Sequence, residues 1–187
     1  MQNSTENILI KFNNSIIKIN WFDNIGQNLK KETKTHTFKY VSYLSPRIKE
    51  KVDIIKTAST WTHAKSIINS PDCELFIWGE EKRDENILYN DILKKTSEKD
   101  LQKYLSLIAQ TSNESINNML IKVAKKNNIE DPYFIKVAGV AAALACYQKA
   151  LIIANENLTN HIFNTKFKIY TSGHWPLTML KNYFWVF

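Results

Sequence analysis

Apolar side chains gather most densely between Asp131 and Glu156, DPYFIKVAGVAAALACYQKALIIANE, where residues 137–147 carry no charge. A helix that is apolar all round has no wet face. This stretch is therefore predicted as a helix buried on all sides, with the rest of the chain arranged to cover it. Asp131 suits an N-cap and Pro132 the first helical position, where a missing N–H costs nothing. Asn127 and Asn128 suit the turn before it, and residues 155–157 its end, as asparagines tolerate a left-handed cap. Gly139 costs about 1 kcal/mol of helix propensity against alanine, which the close approach of a neighbouring helix is expected to offset. The uncharged run falls short of the roughly 20 residues a bilayer requires, so no span is predicted to cross a membrane.

The remaining pattern is mostly helical. Ser45-Pro46 reads as a helix start, carrying Ile48, Val52, Ile55, Ala58, Thr62, Ile67 and Ile68 inward and ending at Ser70-Pro71. Residues 72–79 read as a short strand or a buried helical turn, residues 80–85 as a charged, solvated loop, and residues 86–95 as helical. Ser97 with Asp100 caps a helix whose inner face is Leu101, Tyr104, Leu105 and Ile108. Ser112 or Asn113 opens another, with Ile116, Leu120, Val123 and Ala124 inward, and one more helix covers residues 158–170 before Ser172-Gly173 breaks it. Residues 30–44 read as a polar linker that turns aromatic and holds at most a short strand. Residues 6–29 fit both a helix stopped at Asn24-Ile25-Gly26 and a hairpin turning at Asn13-Asn14-Ser15; the helical company favours the helix. Leu177 to Phe187 reads as a small β-hairpin turning at Lys181-Asn182. The fold class is thus mainly α: a single-domain helical bundle, residues 1–187, around the 131–156 helix, with a small C-terminal hairpin.

Composition adds charge. The 187 residues carry a formal net charge of +7, but of 25 basic residues only Arg47 and Arg83 are arginine. Arginine supplies the forked contact to phosphate and guanine, whereas lysine is a point charge. An AT-rich coding bias toward Asn, Lys and Ile gives part of this lysine content. Residues 30–56 hold eight basic against three acidic residues, and Lys166, Lys168 and Lys181 follow Glu156 without an acid. If the two stretches share a face, it attracts an acidic protein or a polyanion. Lys30, Lys31, Lys34, Lys39, Arg47 and Lys49 are the candidate partner contacts, and Phe38, Tyr40 and Tyr43 are candidates to stack on bases.

Chemistry-bearing motifs are sparse. His36, His63, His161 and His174 show no metal-ligand spacing. Cys146 lies mid-helix among apolar residues, as an inert core thiol rather than a nucleophile, and two distant cysteines suit a reducing compartment. The N-terminus lacks a basic region followed by a long apolar run, so no signal peptide is expected. No metal, cofactor or catalytic residue is predicted, and the expected location is the cytoplasm.

Tyr170-Thr171-Ser172-Gly173-His174-Trp175-Pro176, followed by an apolar run to the end, resembles the closing segment of small helical immunity proteins from bacterial polymorphic-toxin and contact-dependent inhibition loci. The likeness covers about the last 20 residues and, in a general way, the Ala-rich helix before them. Where such proteins continue with Cys-Gly-Trp, this chain has Leu177-Thr178-Met179. The resemblance implies a cytosolic binding protein, not an enzyme, that blocks the C-terminal domain of a cognate toxin one to one. The basic charge then points to an acidic toxin surface, a toxin that is not a nuclease, or a site away from a nuclease cleft. The alternative is a Lys-rich helical nucleic-acid-binding module; an enzyme assembled from scattered residues is a third reading.

Overall fold

The structure, a computed structural model, describes residues 10–14, 26–29, 31–48, 54–74, 76–156 and 158–187. The chain is mainly α-helical with a small four-stranded sheet, and it divides into two compact units. One, the helical unit, takes residues 1–19 and 85–164; the other, the sheet unit, takes residues 20–84 and 165–187.

The helical unit centres on two long helices, α4 (Glu98–Lys126) and α5 (Pro132–Ala154). Ser97 caps α4 as expected, its Oγ accepting the Asp100 amide at 3.1 Å. The predicted break at Ser112 is absent. Ser112 is buried, and its hydroxyl donates to the Ile108 carbonyl at 2.7 Å. A serine satisfied by its own helix does not end it, so the two predicted helices are one. Asn128 then takes φ 52°. Its amide reaches Lys125 O and that of Ile129 reaches Ala124 O, the pair of bonds that closes a helix with a left-handed residue. Asp131 caps α5, accepting the Tyr133 amide at 3.0 Å, and Pro132 opens it. At the other end Asn155 has φ −94° and is not itself a left-handed cap, while Asn157, the other asparagine expected there, lies outside the described residues.

The two helices run antiparallel: the Tyr104 hydroxyl meets Ala150 O near one end, and Gly139 faces Leu120 near the other. Phe134, Ala138, Ala141, Ala142, Ala145, Cys146, Ala150 and Leu151 form the buried face of α5. The expectation of burial all round is wrong, because Val140 is 66% exposed. The small residues that make the sequence uniformly apolar let one side pack closely without requiring cover on the other. Nor is Gly139 pressed: an added Cβ would meet Leu120 Cδ1 at 3.6 Å, an ordinary contact. By length and composition α5 is apolar enough to cross a membrane, which corrects the expectation that no span is. The uncharged run understated its apolar length, as Lys136 and Lys149 are the charges of all 23 residues. A core helix passes the same test.

In the sheet unit, α1 (Lys31–Leu44) replaces the predicted linker. Thr33, Thr37, Tyr40, Val41 and Leu44 are buried at spacings of three and four, so tertiary burial overrides the weak helix propensity of the threonines. Ser45-Pro46 opens only a 3-10 turn, Pro46–Ile48. Residues 49–53 of the predicted 45–70 helix lie outside the described residues, and beyond them it is instead strand β1 (Ile55–Thr57) and a short helix, α2 (Trp61–Ile68), capped by Thr60. Strand β2 (Cys73–Glu74) and helix α3 (Phe76–Leu93) follow, then α4, α5 and α6 (Ile162–Thr171). The C-terminal hairpin is present, as β3 (Pro176–Leu180) and β4 (Tyr183–Val186), turning at Lys181 with φ 57°. It is the middle of a sheet ordered β1-β4-β3-β2, with β1 parallel to β4 and the other pairs antiparallel.

Gly173 ends α6 with φ 92°, its amide bonded to Tyr170 O and that of His174 to Ile169 O. Trp175 is then held by Phe187 through two backbone hydrogen bonds of 2.6 and 2.8 Å, and its ring stacks on Trp61 at 6.2 Å. This is why the chain's final residues are buried. At the N-terminal side, residues 10–14 are helical. Asn13 and Asn14 therefore do not turn a hairpin, while residues 6–9 and 15–25 lie outside the described residues. Gly26 has φ 74°, and a Cβ there would come within 2.6 Å of Ser59 O.

Candidate functional site

The carboxylates of α3 are the first surprise. Residues 80–85 are not a solvated loop: Glu81, Asp84 and Glu85 are buried within a helix. Glu81 and Lys166 of α6, each under 5% exposed, form an ion pair with 2.6 Å between Nζ and Oε2. Lys166 Nζ also lies 5.9 Å over the Tyr40 ring. Tyr40, Glu81, Lys166, Tyr170, Thr178 and Phe184 line a cavity of about 20 Å³, room for roughly one water molecule. Asp84 accepts the Tyr43 hydroxyl at 2.7 Å and lies 3.6 Å from Arg83 Nε. That hydrogen bond, burial and the Asp84 charge push Tyr43 up to about 12. Burial raises Glu80 as well, with Arg83 opposing it. In the helical unit Glu85 accepts the Gln148 amide at 2.7 Å, and Asn155 donates to Leu88 O at 3.1 Å. Each carboxylate thus serves a separate partner. The signal for this was in the sequence: Glu81, Asp84 and Glu85 fall on the same stripe, at spacings of three and four, as Leu88 and Ile92.

The basic candidates are scattered more widely. Lys31, Lys34 and Lys39 are exposed along α1. Lys30 and Lys49 lie outside the described residues, and Arg47 sits in the 3-10 turn. Lys166, expected on the basic surface, is buried with Glu81 instead. Tyr40 is buried and Tyr43 is tied to Asp84, so these rings do not form the expected stacking platform with Phe38.

The two basic stretches also meet at the sheet, which spacing did not indicate. Lys56 of β1 pairs with Trp185 of β4 in the parallel register. Its Nζ lies 3.6 Å from the Tyr183 ring centroid and 5.7 Å from that of Trp185. His63, near the start of α2, sets its ring 5.0 Å from Trp185 at 71°.

No family model, curated protein or solved structure matches the chain.

The thiols offer little reactivity. Cys146 is fully buried, and desolvation pushes it up to about 12; a thiol that resists ionisation is a poor nucleophile. Cys73 Sγ lies 2.7 Å from Thr178 Oγ1 across the β2–β3 pair. Among the described residues no three His, Cys, Asp or Glu side chains come together to hold a metal ion.

Proposed function

We propose that this chain is a cytosolic binding protein that neutralises a cognate bacterial toxin domain, covering it one to one and catalysing nothing itself. The observation that carries this reading is the division of charge. Glu81, Asp84 and Glu85 are spent on partners inside the fold, while Lys31 and Lys39 face solvent. A surface weighted this way attracts an acidic protein surface and speeds encounter. The resemblance at residues 170–176 supplies the toxin as the partner's class. Mixing the chain with the C-terminal domain of the toxin encoded beside it tests this by size exclusion with light scattering. A one-to-one complex, and rescue of cells expressing that domain, is expected; no complex and no rescue would refute the reading.

The exposed lysines also suit a polyanion, which keeps a nucleic-acid-binding module as the second reading. That alternative requires retention on heparin and an affinity for random oligonucleotides that falls steeply with salt.

A further inference from the structure

We infer that the outward face of the sheet, Lys56 with Tyr183 and Trp185, is the contact surface for an acidic segment of a protein partner, with Lys56 as the anchoring cation. The inference rests on the binding reading above and names the place and the chemistry. Lys56 is exposed, yet its ammonium is parked over the Tyr183 ring. Its strand is fixed at both ends: Phe184 donates to Ile54 O at 2.9 Å and Ala58 to Val186 O at 2.8 Å. A cation held in place before binding loses less side-chain freedom on meeting a carboxylate. Tyr and Trp beside it are the residue types that most often anchor interfaces. Lys181, exposed in the hairpin turn two residues before Tyr183, adds a second positive charge. Among the described residues nothing accepts from the buried Trp185 Nε1–H, a donor that a partner's oxygen would satisfy once neighbouring side chains give way. The same geometry disfavours nucleic acid. Base stacking needs an open ring face, and Lys56 already covers that of Tyr183.

The test is two-dimensional NMR of the labelled chain with a short glutamate-rich peptide and, separately, an oligothymidine of equal charge at the same ionic strength. The peptide is expected to shift the amides of Lys56 and Tyr183 and the Trp185 indole signal. Lys56→Gln should weaken peptide binding by about threefold, within the range of one exposed ion pair, while Lys56→Arg and, on α4, the exposed Lys103→Gln should retain it. Peptide shifts spread evenly over exposed lysines, an unchanged affinity in Lys56→Gln with an intact spectrum, or tighter oligothymidine binding to this face would overturn the inference. The toxin domain then separates the two claims. Toxin binding that maps elsewhere sinks the surface and leaves the binding reading standing. A peptide that maps to Lys56 with no toxin binding does the reverse.

Discussion

The helical unit and the sheet unit spend their polar groups differently. In the helical unit α4 and α5 meet through small and aliphatic side chains, and serines and asparagines satisfy their own helix ends or neighbouring carbonyls. The sheet unit buries a full ion pair, Glu81–Lys166, and shows a cation on two aromatic rings at its surface. A buried pair contributes less to stability than to fixing one arrangement, because desolvation consumes most of its attraction. The difference teaches that the α4–α5 contact is held by area and the interior of the sheet unit by specific partners. Single substitutions should therefore break the two in different ways.

The largest effects fall in the sheet unit. Glu81→Ala removes the carboxylate that faces the buried Lys166 ammonium and should cost about 3–5 kcal/mol, whereas replacing both partners with methionine should restore most of the loss. Trp175→Ala should cost a similar 3–5 kcal/mol or so by opening a cavity beside Trp61 and Phe187. Urea melts followed by tryptophan fluorescence measure both, since Trp61, Trp175 and Trp185 all belong to the sheet unit. An unchanged midpoint for Glu81→Ala would mean the pair is solvated. In the helical unit, Ser97→Ala removes the cap of α4 and should cost about 1 kcal/mol, read by far-ultraviolet circular dichroism.

Gly139→Ala should have a smaller effect of opposite sign, stabilising by about 0.5–1 kcal/mol, because alanine is the better helix former and the site has space. A loss of stability on thermal melting would show that α4 and α5 approach more closely than the structure has them. The mildest change is alkaline. Tyr43 is raised from 10.0 to about 12, so its bond to Asp84 contributes fully below the ordinary tyrosine range. That contribution fades as pH climbs from 10 through 12. Ultraviolet titration of Asp84→Asn should show Tyr43 ionising earlier than in the parent; an identical curve would remove the hydrogen bond from the account.

How much of this was legible follows from the range of the interactions. The Asp131-Pro132 start, the Ser97 cap, the Gly173 stop and the Lys181-Asn182 turn are local chemistry, and each is where the sequence places it. Strand β1 was not, because Ile55, Lys56 and Thr57 become a strand only by pairing in parallel with residues 184–186. Helix α1 was hidden by threonines whose burial depends on distant partners. The buried carboxylates were misread by residue type, although their spacing continued the apolar stripe. The meeting of Lys56 with Tyr183 and Trp185 needs the sheet register.

The most direct test of the account is hydrogen exchange of the chain alone and mixed with the toxin domain proposed as its partner. The account predicts slower exchange along α1, β1 and β4, with α4 and α5 unchanged. Protection concentrated on α5 around the exposed Val140 would contradict it, and would move the partner's surface to the helical unit.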